Sequence, residues 1–319
     1  MLAQLTVFRG GFTREAAREV TQTSFWTLTM LVDKSLLHRE ANGRFGMLEL
    51  VRQFAADRLA TWPKMAATAN TRHAQNYLRL LHTQETYWHT NQRQAALDLL
   101  SPEIENMRVA WRWAVAALEN QEAPEQANLA RNYIDQALVS IFFLYESRGW
   151  FREGAAAFGW AMAALEELEK SKGPNPLYGR LLVRYGRFSI FLGQYKKAAN
   201  VLQEALTHLS ASDNVKEISL CHSYLAIVFG FRGKYEQAIA AADSALKLTG
   251  DIAYKPGLAF AQNLRGTLAH RQGEYETAQE HYEASLALRR ELEDPYGTAV
   301  TLNNLGNLAN AQQDFAAAR

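Results

Sequence analysis

Gly193-Gln194-Tyr195-Lys196-Lys197-Ala198 decides the fold, because it returns. Gly233-Lys234-Tyr235-Glu236-Gln237-Ala238 and Gly273-Glu274-Tyr275-Glu276-Thr277-Ala278 follow at intervals of forty residues, and a weaker copy, Gln313-Asp314-Phe315-Ala316-Ala317-Ala318, falls at the next. Two further positions keep the same step: Gly186, Ala226, Gly266 and Gly306, and the pairs Ala205-Leu206, Ala245-Leu246 and Ser285-Leu286. A fixed period of this size marks a solenoid of stacked supersecondary units. The product of a solenoid is an extended surface rather than a reaction centre.

Each unit reads as two helices. In residues 179–210, Arg180–Leu192 is the first, Gln194–Leu209 the second, and Gly193 the reversal, where a residue without a Cβ takes left-handed backbone at little cost. Gly186 and Ala198 are small enough for the two helices to approach closely, and Tyr195 and Leu202 supply apolar volume to the same seam. Residues 219–250 and 259–290 repeat the plan, with loops expected at Leu248–Pro256 and Glu293–Tyr296. Upstream, Gly149-Trp150-Phe151-Arg152-Glu153-Gly154 imitates the turn at an offset of 44 residues. Its helices would be Ala130–Arg148 and Arg152–Glu169, followed by a loop over Lys170–Pro176.

Bulk properties narrow the function classes. The chain has 319 residues, 48% hydrophobic and 21% charged, with a net charge of +1; this gives no general attraction for nucleic acid or membrane surfaces. A single cysteine, Cys221, excludes an internal disulfide and a cysteine-based zinc site and suits a cytoplasmic location. The longest apolar run, Ala137–Tyr145, is far below the roughly 20 residues of a membrane span. Ser101-Pro102-Glu103 is a good helix start, and Ile104, Met107, Trp111, Val115 and Leu118 follow it as a core stripe.

The first sixty residues have a different grammar. Thr13 caps a helix over Arg14–Val20 and Ser24 a second over Phe25–Lys34. Leu36–Glu40 and Arg44–Leu48 flank Asn42-Gly43, a two-residue hairpin signal, and a further helix, Glu49–Ala60, ends before Trp62-Pro63. Helix, helix, hairpin, helix is a winged-helix order.

The repeats resemble the tetratricopeptide repeat. Asn304-Leu305-Gly306 matches its first helix and the Gly-x-Tyr-x-x-Ala motif its turn, although the period is forty rather than the usual 34 or so. The strings LTVFRGGFTREAAREV, LTMLVDKSLLHRE, GRFGMLELVRQFAADRL and RHAQNYLRL, with EIENMRVAWRWAV after them, resemble the segment that follows the nucleotide-binding core in STAND-class signalling ATPases, the regulators with an NB-ARC-like ATPase and MalT-like repeats. The resemblance implies a mainly α chain: a winged-helix domain at 1–62, a helical connector at 63–127, and a right-handed tetratricopeptide solenoid at 128–319. The solenoid units lie at about 130–169, 179–210, 219–250 and 259–290, with a partial unit at 299–319. It also implies an upstream ATPase using ATP or ADP and Mg, on which the winged helix packs, and repeats that bind a protein, peptide or small effector. The chain then reads as the non-catalytic sensor fragment of a signalling or transcriptional regulator. A stand-alone adaptor binding partner peptides and a winged-helix DNA-binding transcription factor are the alternatives.

Candidate residues follow from that resemblance. Met47-Leu48-Glu49 falls where related switches carry a Met-His-Asp motif whose histidine reaches the nucleotide phosphate. Leu48 cannot donate a hydrogen bond, and burial preference places Met47 and Leu48 in the core, so Glu49 and Arg52 are left as nucleotide-sensing candidates. In tetratricopeptide arrays the first helices line a groove, here Arg180, Arg184, Arg187, Phe231, Asn263, Thr267, His270, Arg271, Asn303, Asn307 and Asn310. Arginines suit an acidic group. Asn263 and Asn303 would form an amide ladder suited to an extended peptide backbone. The DNA alternative is weakened by the second helix, whose only base-reading side chain is Lys34 beside Asp33. Residues 1–62 carry eight Lys and Arg against six Asp and Glu, a weak attraction for phosphate. No phosphate-binding loop, zinc-protease motif or nucleophile elbow occurs in the chain. His73, His82 and His89 are too widely spaced for a helical metal site and read as polar helix surface. Cys221 reads as a small buried hydrophobe.

Overall fold

Phe12, Phe45 and the helices around them organise the first of two compact units in the computed structural model, which describes residues 1–120, 123–169, 173–210 and 212–312. This unit gathers Met1–Glu85 and Gln94–Leu144. After a 3-10 turn at Leu2–Val7 come α1 (Arg14–Thr21) and α2 (Phe25–Asp33). The strands β1 (His38–Arg39) and β2 (Phe45–Gly46) follow, then α3 (Glu49–Ala60). The Thr13 hydroxyl accepts from the Ala16 amide at 3.1 Å, as its capping role requires. Ser24 occupies the N-cap of α2 without a capping bond; its hydroxyl instead meets that of Thr27 at 3.2 Å.

The hairpin differs from expectation. Strands pair as His38 with Gly46 and Arg39 with Phe45. The Gly43 amide donates to Glu40 O at 2.9 Å, and Gly43, unlike Asn42, has a positive φ, of 84°. The loop is therefore a three-residue turn with a left-handed glycine, and the Asn42 side chain accepts from the Arg44 amide at 2.9 Å. Phe12 and Phe45 exchange backbone hydrogen bonds of 2.9 and 2.8 Å, adding a third extended segment beside the hairpin.

The connector helices complete the same core. Helix α4 (Pro63–Thr83) packs on α1, on α3 and on α6 (Ile104–Glu119), with the short α5 (Arg93–Leu100) between α4 and α6 in sequence. Pro63 follows Trp62 and opens α4 at its first turn, where its missing amide is no loss. Met107, Trp111, Val115 and Leu118 are fully buried as the stripe anticipated, joined by Leu5, Phe8, Tyr77 and Leu78. Leu48 overturns its expectation: it is 60% exposed, because it sits at the N-cap of α3, outside the packed face.

The second unit gathers Thr86–Arg93 and the chain from Tyr145 onward. Its helices are the end of α7 (Pro124–Ser147), then α8 (Phe151–Glu169), α9 (Pro176–Phe191), α10 (Tyr195–Leu209) and α11 (Val215–Phe231). They continue as α12 (Tyr235–Asp251), α13 (Lys255–Gln272), α14 (Tyr275–Glu291) and α15 (Pro295–Ala311). Each helix packs on the next from α8 to α15, and first helices also touch first helices, α9 on α11, α11 on α13 and α13 on α15. This is the constant stacking step that the period demands.

One turn is used throughout. Gly149, Gly193, Gly233 and Gly273 all have φ between 70° and 81°. After each, a backbone amide reaches back to the preceding helix: Trp150 to Tyr145, Gln194 to Ser189, Lys234 to Phe229 and Glu274 to Ala269, at 2.8–3.0 Å. The upstream unit is therefore built on the same reversal. The close approach is equally specific: a Cβ on Gly186 would lie 2.7 Å from the Leu202 side chain, and one on Gly266 2.8 Å from Tyr282. The extra length of the period goes into helix rather than loop. Helix α12 runs on to Asp251 through the expected loop, and Pro256 and Pro295 lie inside the first turns of α13 and α15. The fourth motif copy at Gln313–Ala318 and Lys170, Ser171 and Lys172 of the loop expected over Lys170–Pro176 lie outside the described residues.

Candidate partner-binding face

The three groove arginines have partners inside the array. Glu217 of α11 accepts from Arg184 Nη1 at 2.5 Å and Nη2 at 2.7 Å, and from Arg180 Nε at 3.2 Å. Arg184 is 3% exposed. Burial alone would raise the Glu217 pKa, but the two guanidiniums outweigh it and hold the carboxyl below its ordinary value. Arg187 lies 4.1 Å over the Phe191 ring and 5.2 Å from that of Tyr224, with Glu146 at 3.4 Å. These cations clamp adjacent helix pairs together, and the acidic group they meet is internal.

A second feature of this face is written in the sequence at the same forty-residue step, at the residue before each turn. Phe151 stacks on Phe191 at 4.2 Å and Tyr195 on Phe231 at 4.8 Å, with interplanar angles of 7° and 12°. In each case the turn aromatic of one pair covers the last residue of the next pair's first helix. Phe191, Phe231 and Arg271 are forty residues apart, and Arg271 continues the series by lying 5.0 Å over the Phe231 ring. Phe231 remains 51% exposed. His270 meets Tyr275 edge-on at 6.0 Å.

The amides divide into inner and outer sets. Asn263 accepts from Asn304 Nδ2 at 3.0 Å, so the ladder joins Asn263 to Asn304 and not to Asn303; one residue is about 100° of helix, which turns Asn303 outward. The Thr267 hydroxyl donates to Asn263 O at 2.9 Å and accepts from Tyr282 at 3.3 Å. Asn303, Asn307 and Asn310 are exposed on α15, on one side of the helix by their i, i+4, i+7 spacing.

The nucleotide-sensing candidates pair with each other. Arg52 hydrogen-bonds Glu49 through Nε at 2.7 Å and through Nη2, and Gln53 donates to the same carboxylate at 3.0 Å. The Arg52 bond lowers the Glu49 pKa. A phosphate arriving at the start of α3 would meet this carboxylate, so Glu49 and Arg52 do not fit one.

His73 corrects the reading of the histidines as polar surface. It is buried among Phe8 and Tyr77, at ring distances of 5.2 and 4.8 Å, and its Nε2 meets Asn106 Oδ1 at 3.2 Å. That oxygen also accepts from the Arg9 amide at 2.7 Å, so Nε2 carries the proton. Burial pushes the His73 pKa down from 6.5 to about 4. The unfolded chain therefore takes up a proton first as the pH falls, and stability present above pH 6.5 is lost between there and pH 4. The loss at pH 4 is expected to be about 3 kcal/mol. Urea midpoints across that range should fall more steeply in the wild type than in His73→Phe, which keeps the part due to His89, a ring that burial also pushes down to about 4; equal slopes would exclude His73 as a cause.

Cys221 is buried as anticipated, and its thiol donates to Leu202 O at 3.1 Å. Among the described residues no group of three or more His, Cys, Asp or Glu could hold a metal ion, and no helix is long and apolar enough to cross a membrane.

Comparison with known proteins identifies the repeats. Residues 257–319 match the family model of the tetratricopeptide repeat. No curated protein matches the chain. Among solved structures, BtubC (BKLC) from P. vanneervenii aligns with a TM-score of 0.53 at 20% identity, over 67% of this chain and 86% of that one; this likeness shows the fold alone. A signal transduction ATPase with numerous domains (STAND) with a tetratricopeptide repeat sensor, from Pyrococcus horikoshii, aligns over 98% of this chain at 14% identity and a TM-score of 0.44. This chain covers 54% of that protein. The apo form of RapI aligns over 77% of this chain and 73% of its own, at 14% identity and a TM-score of 0.47. The chain is mainly helical, and its C-terminal stretch is made of tetratricopeptide repeats.

Proposed function

We propose that the repeats form a sensor or adaptor surface for a protein or peptide, and that the chain performs no catalysis itself. The observation that carries this reading is the shared face of the stacked first helices α9, α11 and α13, on which Phe231 is 51% exposed with Arg271 5.0 Å over its ring. On the next first helix, α15, Asn303, Asn307 and Asn310 are exposed among the described residues. Amides that both donate and accept can grip an extended backbone, and the Phe231–Arg271 pair offers an apolar and cationic contact on the same array.

The finer reading assigns residues 1–62 to a winged helix that packs on the nucleotide-binding domain of a cytoplasmic STAND-class regulator. The order of the four N-terminal strings supports it, together with Trp26, Leu48, Leu50 and Phe54, which are 60–81% exposed. Large apolar side chains left bare in one short stretch mark a docking surface. ATP or ADP and Mg belong to that other domain, and no nucleotide contact is assigned to Glu49 or Arg52.

The test is a selection of displayed peptides on the intact chain. Binders should lose roughly tenfold or more in affinity when Asn303, Asn307 and Asn310 are all replaced by alanine, on the basis of about 0.5–1.5 kcal/mol per lost hydrogen bond. Circular dichroism should be unchanged. Binders indifferent to this triple change and to Phe231→Ala with Arg271→Ala would overturn the reading.

A further inference from the structure

Residues Thr86–Arg93 belong to the repeat unit, although the helices on either side of them in sequence belong to the other. Apart from a 3-10 turn at Glu85–Tyr87 the segment has no regular structure until α5 begins at Arg93, yet Trp88 is fully buried. The Asn91 side chain donates to Glu293 Oε2 at 2.7 Å. Arg93 donates to the Ser147 hydroxyl at 3.1 Å and lies 4.1 Å over the Tyr296 ring. One guanidinium thus touches the end of the first repeat helix and the start of the last described one.

The receiving surface is pre-built. Arg289 and Asp294 pair at 3.1 Å, and Asp294 caps α15 by accepting from the Gly297 amide at 2.9 Å. Gly297 is needed there, since a Cβ would lie 1.7 Å from Arg289 Nη1. Glu293 sits at φ 51°, as does Ala253 one period earlier, so both inter-repeat turns share a backbone shape and only the later one carries a carboxylate. His89 is partly exposed, and its ring lies in the field of Asp294, Arg93 and Arg289.

We propose that Ser147, Arg289, Glu293, Asp294 and Tyr296 form a peptide-binding site that Thr86–Arg93 occupies in cis. The ligand it takes in trans is a segment folded into consecutive turns, as Thr90 N to Tyr87 O and Arg93 N to Thr90 O fold this one at 3.2 Å, with an indole followed, five residues later, by a guanidinium. This deepens the partner-binding reading of the repeats and rests on it. The strap resembles a bound peptide in its economy: one buried aromatic anchor, with rim contacts from the exposed Asn91 and Glu293. Buried tryptophan and arginine are the side chains that dominate peptide affinity. Covalent attachment gives the strap a local concentration in the millimolar range, so a competing partner binds only when it matches the anchors better or when the strap is released. The same displacement frees the chain between α4 and α5.

The probe is a fluorescein-labelled peptide of residues 84–94, titrated against the intact chain. Trp88→Ala should bind it roughly thirtyfold more tightly than the wild type, the factor expected for losing a buried aromatic anchor in cis. Amides 86–93 should lose hydrogen-exchange protection in that variant, and adding Glu293→Lys should weaken peptide binding severalfold. Asn91→Ala with Arg93→Ala removes the strap's contacts to Glu293, Ser147 and Tyr296 while leaving Trp88 in place, and should raise affinity about tenfold, which keeps the test available if Trp88→Ala fails to fold. Equal binding by wild type and both variants, or no binding by any folded variant, overturns the proposal. Because the probe is the chain's own segment, such a failure leaves the Asn303 face and its selected peptides untouched.

Discussion

Replacing Glu217 by alanine is expected to destabilise the repeat unit by about 3–5 kcal/mol, because it strands a buried cation. Arg184 is almost wholly buried, and both oxygens of the Glu217 carboxylate accept from its guanidinium. Arginine cannot relieve the loss by giving up its proton. The pair itself is a different matter, since two desolvated charges roughly repay their own hydration. Arg184→Met together with Glu217→Leu should therefore cost well under the single change, the remainder being the bond that Arg180 loses to the same carboxylate. Hydrogen exchange of α9 and α11 amides in urea reads the repeat unit separately from the other. If the single and double changes cost the same, the clamp contributes nothing through its charge.

Asn106→Ala should cost the first unit about 2–4 kcal/mol, the range for emptying a buried network of several bonds. Both lone-pair directions of its oxygen are used, by the Arg9 amide and His73, and both of its amide hydrogens, by Gly11 O at 2.9 Å and Glu103 Oε2 at 2.9 Å. Glu103 in turn is salt-bridged to Arg44 on the hairpin. One side chain on α6 thereby ties the loop after the first 3-10 turn to the connector and, through Glu103, to β2. Urea unfolding followed at α4 and α6 amides should show the loss while leaving the repeat amides unchanged. A loss below about 1 kcal/mol would mean that water replaces these bonds without penalty.

The reading from residues succeeded where local chemistry is decisive. Gly193, Gly233 and Gly273 were assigned to reversals because positive φ is cheap for glycine alone, and they have it. Helix α3 was bounded at Glu49 and Ala60, as found, by the hairpin before it and the Trp62-Pro63 dipeptide after it. It failed where a side chain has two plausible environments. Arg184 and Asn303 both occupy groove positions by register, but one is sealed against Glu217 and the other is bare. His73 and Leu48 exchanged their expected places, the polar ring inside and the apolar side chain outside. Nothing in the segment from Tyr87 to Arg93 marks it as a partner of residues some 200 positions later, as Asn91 is of Glu293.

Periodicity and turn chemistry, taken without coordinates, are enough to establish paired helices stacking at a forty-residue step, because the turn hydrogen bonds and the close approaches at Gly186 and Gly266 lie within single units. Which polar groups remain available to a partner was decided only by the stacked array. Burial and pairing are properties of long-range neighbours such as Arg184 with Glu217, and those neighbours exist only once the array has formed.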